Sequence, residues 1–172
     1  MVPDVPIGAA LPLEYGSEEA IFVLKIRPEV AAELLNQAAG AYPHETGGVL
    51  VGHYDDSHHE AIVEMLAPKP SDSTERRSAF VRGTKKLKDF LSSLWRFTTP
   101  RLHYIGEWHT HPDGVPEPSS TDRDSMWAIA TDEREMCPEP ILVILGGNFR
   151  EHVLVGAFVF PLGRKETRLV SK

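Results

Sequence analysis

Two uninterrupted apolar segments constrain the fold more than any other feature of this sequence: residues 141–145 (ILVIL) and 153–160 (VLVGAFVF). A strand with one face in water alternates apolar and polar residues, whereas a strand covered on both faces is apolar throughout. Segments with apolar residues at helical spacing separate the other strand-like segments. These sequence patterns therefore predict an α/β fold in which a sheet is sandwiched between helical layers.

Strand and helix patterns alternate after a lead-in that prolines and glycines interrupt. Further strands are expected at residues 20–26, 49–54, 61–67, 79–82 and 102–111. Helices are expected from Pro28 to a stop at Gly40, from Leu87 to Trp95, and from near Ser119 onward. Polar loops are expected at residues 68–77 and 112–118. Without a linker to divide the chain, we predict an irregular lead-in over residues 1–18 and a single domain over residues 19–172.

The charge balance argues against one broad class of function. Lys and Arg total 18, Asp and Glu total 25, and the formal net charge is −7. Nucleic-acid binding needs a clustered basic face that neutralises phosphates. We therefore expect no nucleic-acid partner.

Cysteine usage and hydropathy bear on the location of the protein. Cys137 is the single cysteine, so the chain forms no internal disulfide, and a small buried thiol is expected there. No apolar segment approaches the roughly 20 residues that a membrane span needs. The first residues lack the basic n-region of a signal peptide. A cytoplasmic protein without a membrane partner is expected.

The chemistry is concentrated in residues 106–122 (GEWHTHPDGVPEPSSTD). His109 and His111 are two residues apart in a segment that favours a strand, and residues i and i+2 of a strand point to the same face. Both imidazoles can therefore bind one ion. Two histidines, one carboxylate and an open position for water make a catalytic zinc site, and Asp122 is the natural carboxylate.

Each part of this pattern also has an ordinary structural interpretation. A His-x-His pair alone is commonly solvated or hydrogen-bonded. Ser119 and Asp122 have the spacing of a capping box at a helix start, and taken alone they favour that cap over catalysis. The two interpretations are compatible, because a capped helix start is a rigid platform for a ligand. The other histidines are expected to be surface or structural residues: His44, His53, His58, His59, His103 and His152.

Glu45 stands just ahead of Gly47 and Gly48, which open an apolar strand. The structural interpretation is a turn with an exposed glutamate. The functional one makes Glu45 a general base beside a zinc, which lowers the pKa of its water to roughly 7. The glycines would then let the backbone approach a substrate chain closely.

Together these residues resemble the JAMM (JAB/MPN) metallopeptidase family. The family pattern is an upstream glutamate followed by His-x-His-Pro. Seven residues then separate the second histidine from a serine, and two residues separate that serine from an aspartate. Glu45, the segment 109–112, Ser119 and Asp122 meet every position and spacing. The resemblance extends over about residues 20–160.

The resemblance implies a role for each matching residue. His109, His111 and Asp122 would hold one Zn²⁺ per chain, Glu45 would be the general acid/base, and Ser119 would hydrogen-bond the oxyanion. The implied fold is a three-layer α/β sandwich around a mixed sheet, related to cytidine deaminases. The implied activity is cleavage of a peptide or isopeptide bond after the C-terminal tail of a ubiquitin-like or conjugated protein.

The segment 104–112 (YIGEWHTHP) is similar to JAB peptidases of CBASS anti-phage and ubiquitination-like operons. There the neighbours are E1- and E2-like proteins, and the conjugated protein in CBASS is a nucleotide synthase. Two alternatives stay open: a JAB peptidase that trims a ubiquitin-like sulfur carrier, and a non-catalytic MPN-type scaffold. A zinc deaminase is disfavoured, because its P-C-x-x-C signature needs a second cysteine.

Overall fold

A computed structural model describes residues 2–6, 8–99 and 101–172. The strands are β1 Asp4–Pro6, β2 Glu14–Gly16, β3 Val23–Ile26, β4 Gly47–Tyr54, β5 Glu60–Leu66, β6 Thr74–Arg76, β7 Ala79–Val81, β8 His103–Pro112, β9 Ile141–Gly147, β10 His152–Val159 and β11 Thr167–Ser171. The helices are α1 Pro28–Ala41, α2 Leu87–Phe97 and α3 Ser120–Thr131. Among the described residues, no helix is long and apolar enough to cross a membrane.

The main sheet is mixed, as predicted. Its strand order is β1-β10-β11-β2-β3-β5-β4-β8-β9, and β9 also pairs with β10. The pairs β3–β5 and β8–β9 are parallel, and the other pairs of this sheet are antiparallel. Because β9 returns to β10, the pairing closes on itself. The sheet is therefore barrel-like in its connections rather than the open middle layer of a sandwich.

The two uninterrupted apolar segments form β9 and β10. Alternate residues of β9 face different parts of the core. Val143 belongs to the cluster that includes Leu34 of α1, whereas Leu142 and Ile144 belong to the cluster that includes Met126 of α3. Both faces of β9 are thus buried, one in the cluster that includes α1 and the other in the cluster that includes α3, as its uninterrupted apolar sequence predicts.

The helices form where apolar residues repeat at helical spacing. Pro28 occupies the first turn of α1, where its missing N–H costs no hydrogen bond. The helix buries Val30 and Leu34 and passes through Gly40, the predicted stop, to end one residue later. In α2, Leu87 is buried. Other apolar residues of this helix are half-buried against a second core cluster, which includes Val51.

Four short strands were not predicted from the sequence. The prediction of an irregular lead-in over residues 1–18 is wrong where β1 and β2 form, and both join the main sheet. Val5 and Tyr15 are buried there, because cross-strand pairing and core contacts outweigh the local proline and glycine content. Likewise β6 forms inside the predicted loop at residues 68–77, and β11 was not predicted. Residues 1 and 7 of the predicted lead-in lie outside the described residues.

Candidate metal centre

β8 places the two candidate histidines on one face. It pairs with β4 on one side and β9 on the other, so its position is fixed along its length. Thr110, between the histidines, points the opposite way and is fully buried. The Nε2 atoms of His109 and His111 lie 3.1 Å apart. The strand alternation predicted from the sequence is therefore present.

Asp122 reaches the same place from the start of α3. Its backbone N–H donates to Ser119 Oγ at 3.1 Å, and its Oδ2 accepts from the Ser119 N–H at 2.7 Å. This reciprocal pair is the capping box that the sequence predicted. Asp122 Oδ2 also lies 3.5 Å from His109 Nε2. The cap and the approach to the histidines therefore coexist in one rigid helix start.

These three side chains fit a tetrahedral metal ion. One candidate ligand atom from each of His109, His111 and Asp122 lies within 4.8 Å of the others. Ligand atoms about 2.1 Å from a tetrahedral ion are separated by roughly 3.4 Å. The separations of 3.1 Å and 3.5 Å are close to that value.

A hydrogen-bond partner of His111 also supports metal binding at this site. His111 Nδ1 lies 2.9 Å from the Val115 carbonyl oxygen, and a carbonyl can only accept. The proton is therefore assigned to Nδ1, which leaves the Nε2 lone pair directed at the cluster. Such a carbonyl partner is typical of metal-binding histidines, since it fixes the tautomer and the ring orientation.

Electrostatics keep the Asp122 carboxyl ionised. Burial alone would raise its pKa, but the charge and hydrogen bonding of His109 and the hydrogen bonds from Ser119 outweigh burial. The pKa of Asp122 consequently lies well below its ordinary value. The site presents a carboxylate, which is the form that binds a cation.

Glu45 lines the same cleft, which has a volume of about 630 Å³. Its side chain is half-buried, and its backbone N–H donates to the Arg76 carbonyl oxygen of β6 at 2.7 Å. Burial raises the pKa of Glu45, and nearby His111 and His109 only partly offset this. Glu45 is therefore a carboxyl that holds a proton more readily than one in water, beside the three candidate ligands.

The two glycines after Glu45 have a different role from the one expected. Gly47 and Gly48 are buried and pair with His109 and Trp108 of β8. A Cβ at Gly47 would lie 2.4 Å from the Trp108 carbonyl oxygen. The expectation that these glycines expose backbone to a substrate is wrong, because their backbone is already occupied by the close packing of β4 on β8.

Sequence reasoning missed an ion pair in the cleft. Arg82 donates from Nε to Glu107 Oε1 at 3.0 Å, and both residues line the cleft beside the candidate ligands. Glu107 stands two residues before His109 on β8, so strand alternation could have placed it on the ligand face. Nothing in the sequence marks Arg82, which reaches the cleft from the end of the β6–β7 hairpin.

The remaining histidines lie elsewhere: among the described residues that line the cleft, His109 and His111 are the only histidines. His58, for example, stacks on Tyr54 with ring centroids 5.2 Å apart and lies 3.2 Å from a Glu139 carboxylate oxygen. Cys137 is buried as predicted, and burial raises the pKa of its thiol to about 12. It is therefore an unreactive packing residue.

Comparison with known proteins identifies the class. Residues 27–155 match the Prok-JAB family, the prokaryotic homologues of the JAB domain, and the chain belongs to that family. A protein of Enterobacter hormaechei subsp. hoffmannii named CD-NTase/cGAS isopeptidase is 35% identical over 155 residues, which are 90% of this chain and 84% of that protein. A probable metalloprotease of Sinorhizobium fredii, y4qB, is 29% identical over 134 residues, which are 75% of this chain and 81% of that protein.

Solved structures support the fold. A solution structure of a Desulfitobacterium hafniense protein matches with a TM-score of 0.57 and 19% identity, covering 84% of this chain and 88% of that one. A solution structure of a Salinibacter ruber protein matches with a TM-score of 0.52 and 24% identity. The match covers 83% of this chain and 86% of that one. At these identities the likeness concerns the fold alone.

Proposed function

We propose that this protein is a JAMM-type metallopeptidase that hydrolyses the peptide or isopeptide bond after the C-terminal tail of a conjugated or ubiquitin-like protein. The observation that carries the proposal is the convergence of His109, His111 and Asp122 beside Glu45 in one open cleft. The names of the relatives, isopeptidase and metalloprotease, support the same reaction class.

The proposed metal is one Zn²⁺ per chain, held by His109, His111 and Asp122. Two nitrogens and one oxygen at tetrahedral spacing are a typical catalytic zinc donor set, which leaves one position open. When bound, zinc would supply Lewis-acid polarisation of the scissile carbonyl and a nucleophile at neutral pH.

Glu45 is the proposed general acid/base. Its carboxylate takes a proton from the attacking water and returns it to the leaving nitrogen, so that the amine departs neutral. The half-buried position raises the pKa of Glu45, which favours the step in which its carboxyl holds the proton for the leaving nitrogen. Because the contribution of a positioned proton-transfer group depends on its geometry, the contacts that fix the Glu45 backbone matter for the rate.

Ser119 is the proposed hydrogen-bond donor to the oxyanion. In the structure its hydroxyl donates to Asp122 Oδ2 at 2.6 Å. A hydroxyl has one proton, so Ser119 can serve the oxyanion only when it releases that bond. The Ser119 N–H still donates to the same Asp122 oxygen at 2.7 Å, so the carboxylate keeps its position through the exchange.

The names of the relatives support the proposed pathway. Four of them, from different bacteria, carry the name CD-NTase/cGAS isopeptidase. We therefore propose a cytoplasmic enzyme of a CBASS-type operon whose substrate is the conjugated nucleotide synthase, with E1/E2-like neighbours. A sulfur-carrier peptidase would use the same residues. A non-catalytic scaffold is disfavoured, because the ligand set is complete.

The test is cleavage of a reporter fused to the C-terminus of the protein conjugated in the operon, beside a matched ubiquitin fusion. Release of the reporter from the first fusion, with little from the second, is the expected result. Release should stop with a chelator and return with zinc. Failure to cleave the first fusion while zinc is bound would overturn the proposal.

A further inference from the structure

We propose that residues 68–99 and 101, here called the basic flank, form a docking surface for an acidic face of the protein whose tail enters the cleft. The basic flank contains the β6–β7 hairpin, α2 and the loops around them. The proposal rests on the proposed function, since it assigns a chemistry to the substrate of the same cleft.

The net charge of −7 conceals a strong segregation of charge. The basic flank carries nine Lys or Arg and three Asp or Glu, a net charge of +6. The rest of the chain carries nine and 22, a net charge of −13. Half of all cationic side chains therefore lie in one fifth of the sequence, and the remainder of the molecule is acidic.

Most of these cations are not neutralised within the molecule. Among the described residues, Lys69 and Arg82 are the two cations of the basic flank that pair with carboxylates, those of Glu75 and Glu107. The seven others described in the flank are exposed and form no ion pair: Arg76, Arg77, Lys85, Lys86, Lys88, Arg96 and Arg101. Six of the nine cations outside the flank do form such pairs. The uncompensated positive charge is thus concentrated on the flank.

The basic flank is continuous with the catalytic cleft. Its hairpin supplies one wall of that cleft through residues 78–82. Arg82 and Ile129 line both the cleft and a neighbouring groove of about 550 Å³, which Lys88 and Leu91 of α2 also line. A protein whose tail reaches the ligand cluster over the hairpin therefore places its adjoining surface near α2.

The surface favours a protein over a nucleic acid. Its cations are interleaved with apolar side chains, and Val81 and Phe97 are 61% and 83% exposed. Aromatic and aliphatic anchors among charges are characteristic of protein interfaces. The acidic remainder of the molecule would repel a long polyanion, whereas a globular partner with one acidic face meets only the flank.

Binding can be tested without catalysis. The probe is a labelled peptide of Glu-Glu-Leu-Ser repeats, with a Gln-Gln-Leu-Ser peptide and a single-stranded oligonucleotide of equal charge for comparison. Lys85→Glu/Lys88→Glu should weaken binding of the acidic peptide about tenfold, and added salt should weaken binding to the unmodified chain. Both substitutions introduce acids near the start of α2, where negative charge is tolerated.

The matched control is Arg164→Glu/Lys165→Glu, which makes the same change in net charge at exposed positions outside the flank. It should leave binding of the peptide nearly unchanged. Equal weakening by the two double variants would overturn the proposal, as would equal binding of the Gln peptide. Tighter binding of the oligonucleotide would overturn it in favour of a nucleic-acid surface.

A cleavage assay separates this proposal from the proposed function. Two fusions share the tail of the conjugated protein and differ only in a neighbouring Glu-rich or Gln-rich segment. The Glu-rich fusion should have the lower KM, and Lys85→Glu/Lys88→Glu should remove that difference at unchanged kcat. If neither fusion is cleaved while the acidic peptide still binds, the proposed function fails and the docking surface stands. Cleavage of both fusions with equal KM overturns the docking surface alone.

Discussion

The ligand side of the cleft, formed by β8 and the start of α3, differs in construction from the side that holds Glu45. His109 and His111 stand on a strand that is paired on both edges, and Asp122 is fixed by a complete capping box. Glu45 precedes β4, and its backbone contacts a hairpin that forms its own two-stranded sheet.

Polar contacts secure the hairpin to the main sheet. The Glu75 carboxylate of β6 accepts hydrogen bonds from the Thr46 hydroxyl and from Lys69 Nζ, and Lys69 Nζ lies 2.6 Å from Thr46 Oγ1. Such half-exposed polar contacts contribute less to stability than core packing. The proposed ligands are therefore placed by the core, whereas the proposed general base is placed beside a separable element.

Loss of a ligand should have the largest effect. His109→Ala and Asp122→Ala each leave two protein ligands, so zinc should be lost from the purified protein by elemental analysis. A catalytic metal supplies several kcal/mol of transition-state stabilisation, so turnover should fall by about 10³-fold or more. Full zinc occupancy in both variants would contradict the ligand assignment.

Glu45→Gln should separate the two sides of the cleft. The variant should keep its zinc and its fold, because Glu45 is not a proposed ligand. Turnover should nevertheless fall by about 10²- to 10⁴-fold, the usual contribution of positioned proton transfer. The two measurements are elemental analysis and single-turnover cleavage on the same preparation. Near-normal turnover would remove Glu45 from the mechanism.

Ser119→Ala tests the residue that belongs to both a cap and the chemistry. It should cost less activity than Glu45→Gln, by about 10²-fold for one oxyanion donor, and about 1 kcal/mol of stability for the cap. Ser119→Gly is the matched control, since glycine at an N-cap costs only a few tenths of a kcal/mol. Both variants should lose the same activity. If the variants are less stable but have unchanged kcat, the serine serves only as a cap.

Gly47→Ala tests how closely β4 packs on β8. The added Cβ meets the backbone oxygen of Trp108 at 2.4 Å, which cannot move without shifting β8 beside His109. We expect a loss of about 1 to 3 kcal/mol in urea unfolding, as for other overpacked sites. Gly48→Ala is the matched control, because its Cβ meets a side-chain atom, Trp108 Nε1, at the longer distance of 3.1 Å. Equal stability of the two variants would show that the approach is not tight.

The local geometry of β8 and of the start of α3 could be predicted from the sequence because it depends on local rules. Strand alternation places His109 and His111 on one face, and the Ser119–Asp122 spacing gives a capped helix start. Both rules act over a few residues. The uninterrupted apolar sequence of β9 likewise required cover on both faces, which the structure provides.

Features that depend on distant pairing could not be predicted. The return of β9 to β10 closes the sheet through contacts that no periodicity encodes. Strands of three residues, such as β1 and β6, carry too few side chains to show an alternation. The pairing of Arg82 with Glu107 joins positions 25 residues apart. Both the barrel-like closure and this ion pair in the cleft therefore emerged only from the structure.

Glu75→Ala should have the smallest effect, and it tests most directly whether the β6–β7 hairpin positions Glu45. It removes the acceptor shared by Thr46 and Lys69, so the hairpin loses a polar contact beside Glu45. Stability should change by about 1 kcal/mol or less, since the pair is partly exposed. Glu60→Ala is the matched control, because it removes a comparable pair with Lys25 between β3 and β5, away from the cleft. If the hairpin positions the general base, Glu75→Ala should lower kcat by up to about tenfold with zinc retained, while Glu60→Ala leaves kcat unchanged. Equal kcat in the two variants would show that Glu45 is held without the hairpin, and both sides of the cleft would then depend on the main sheet alone.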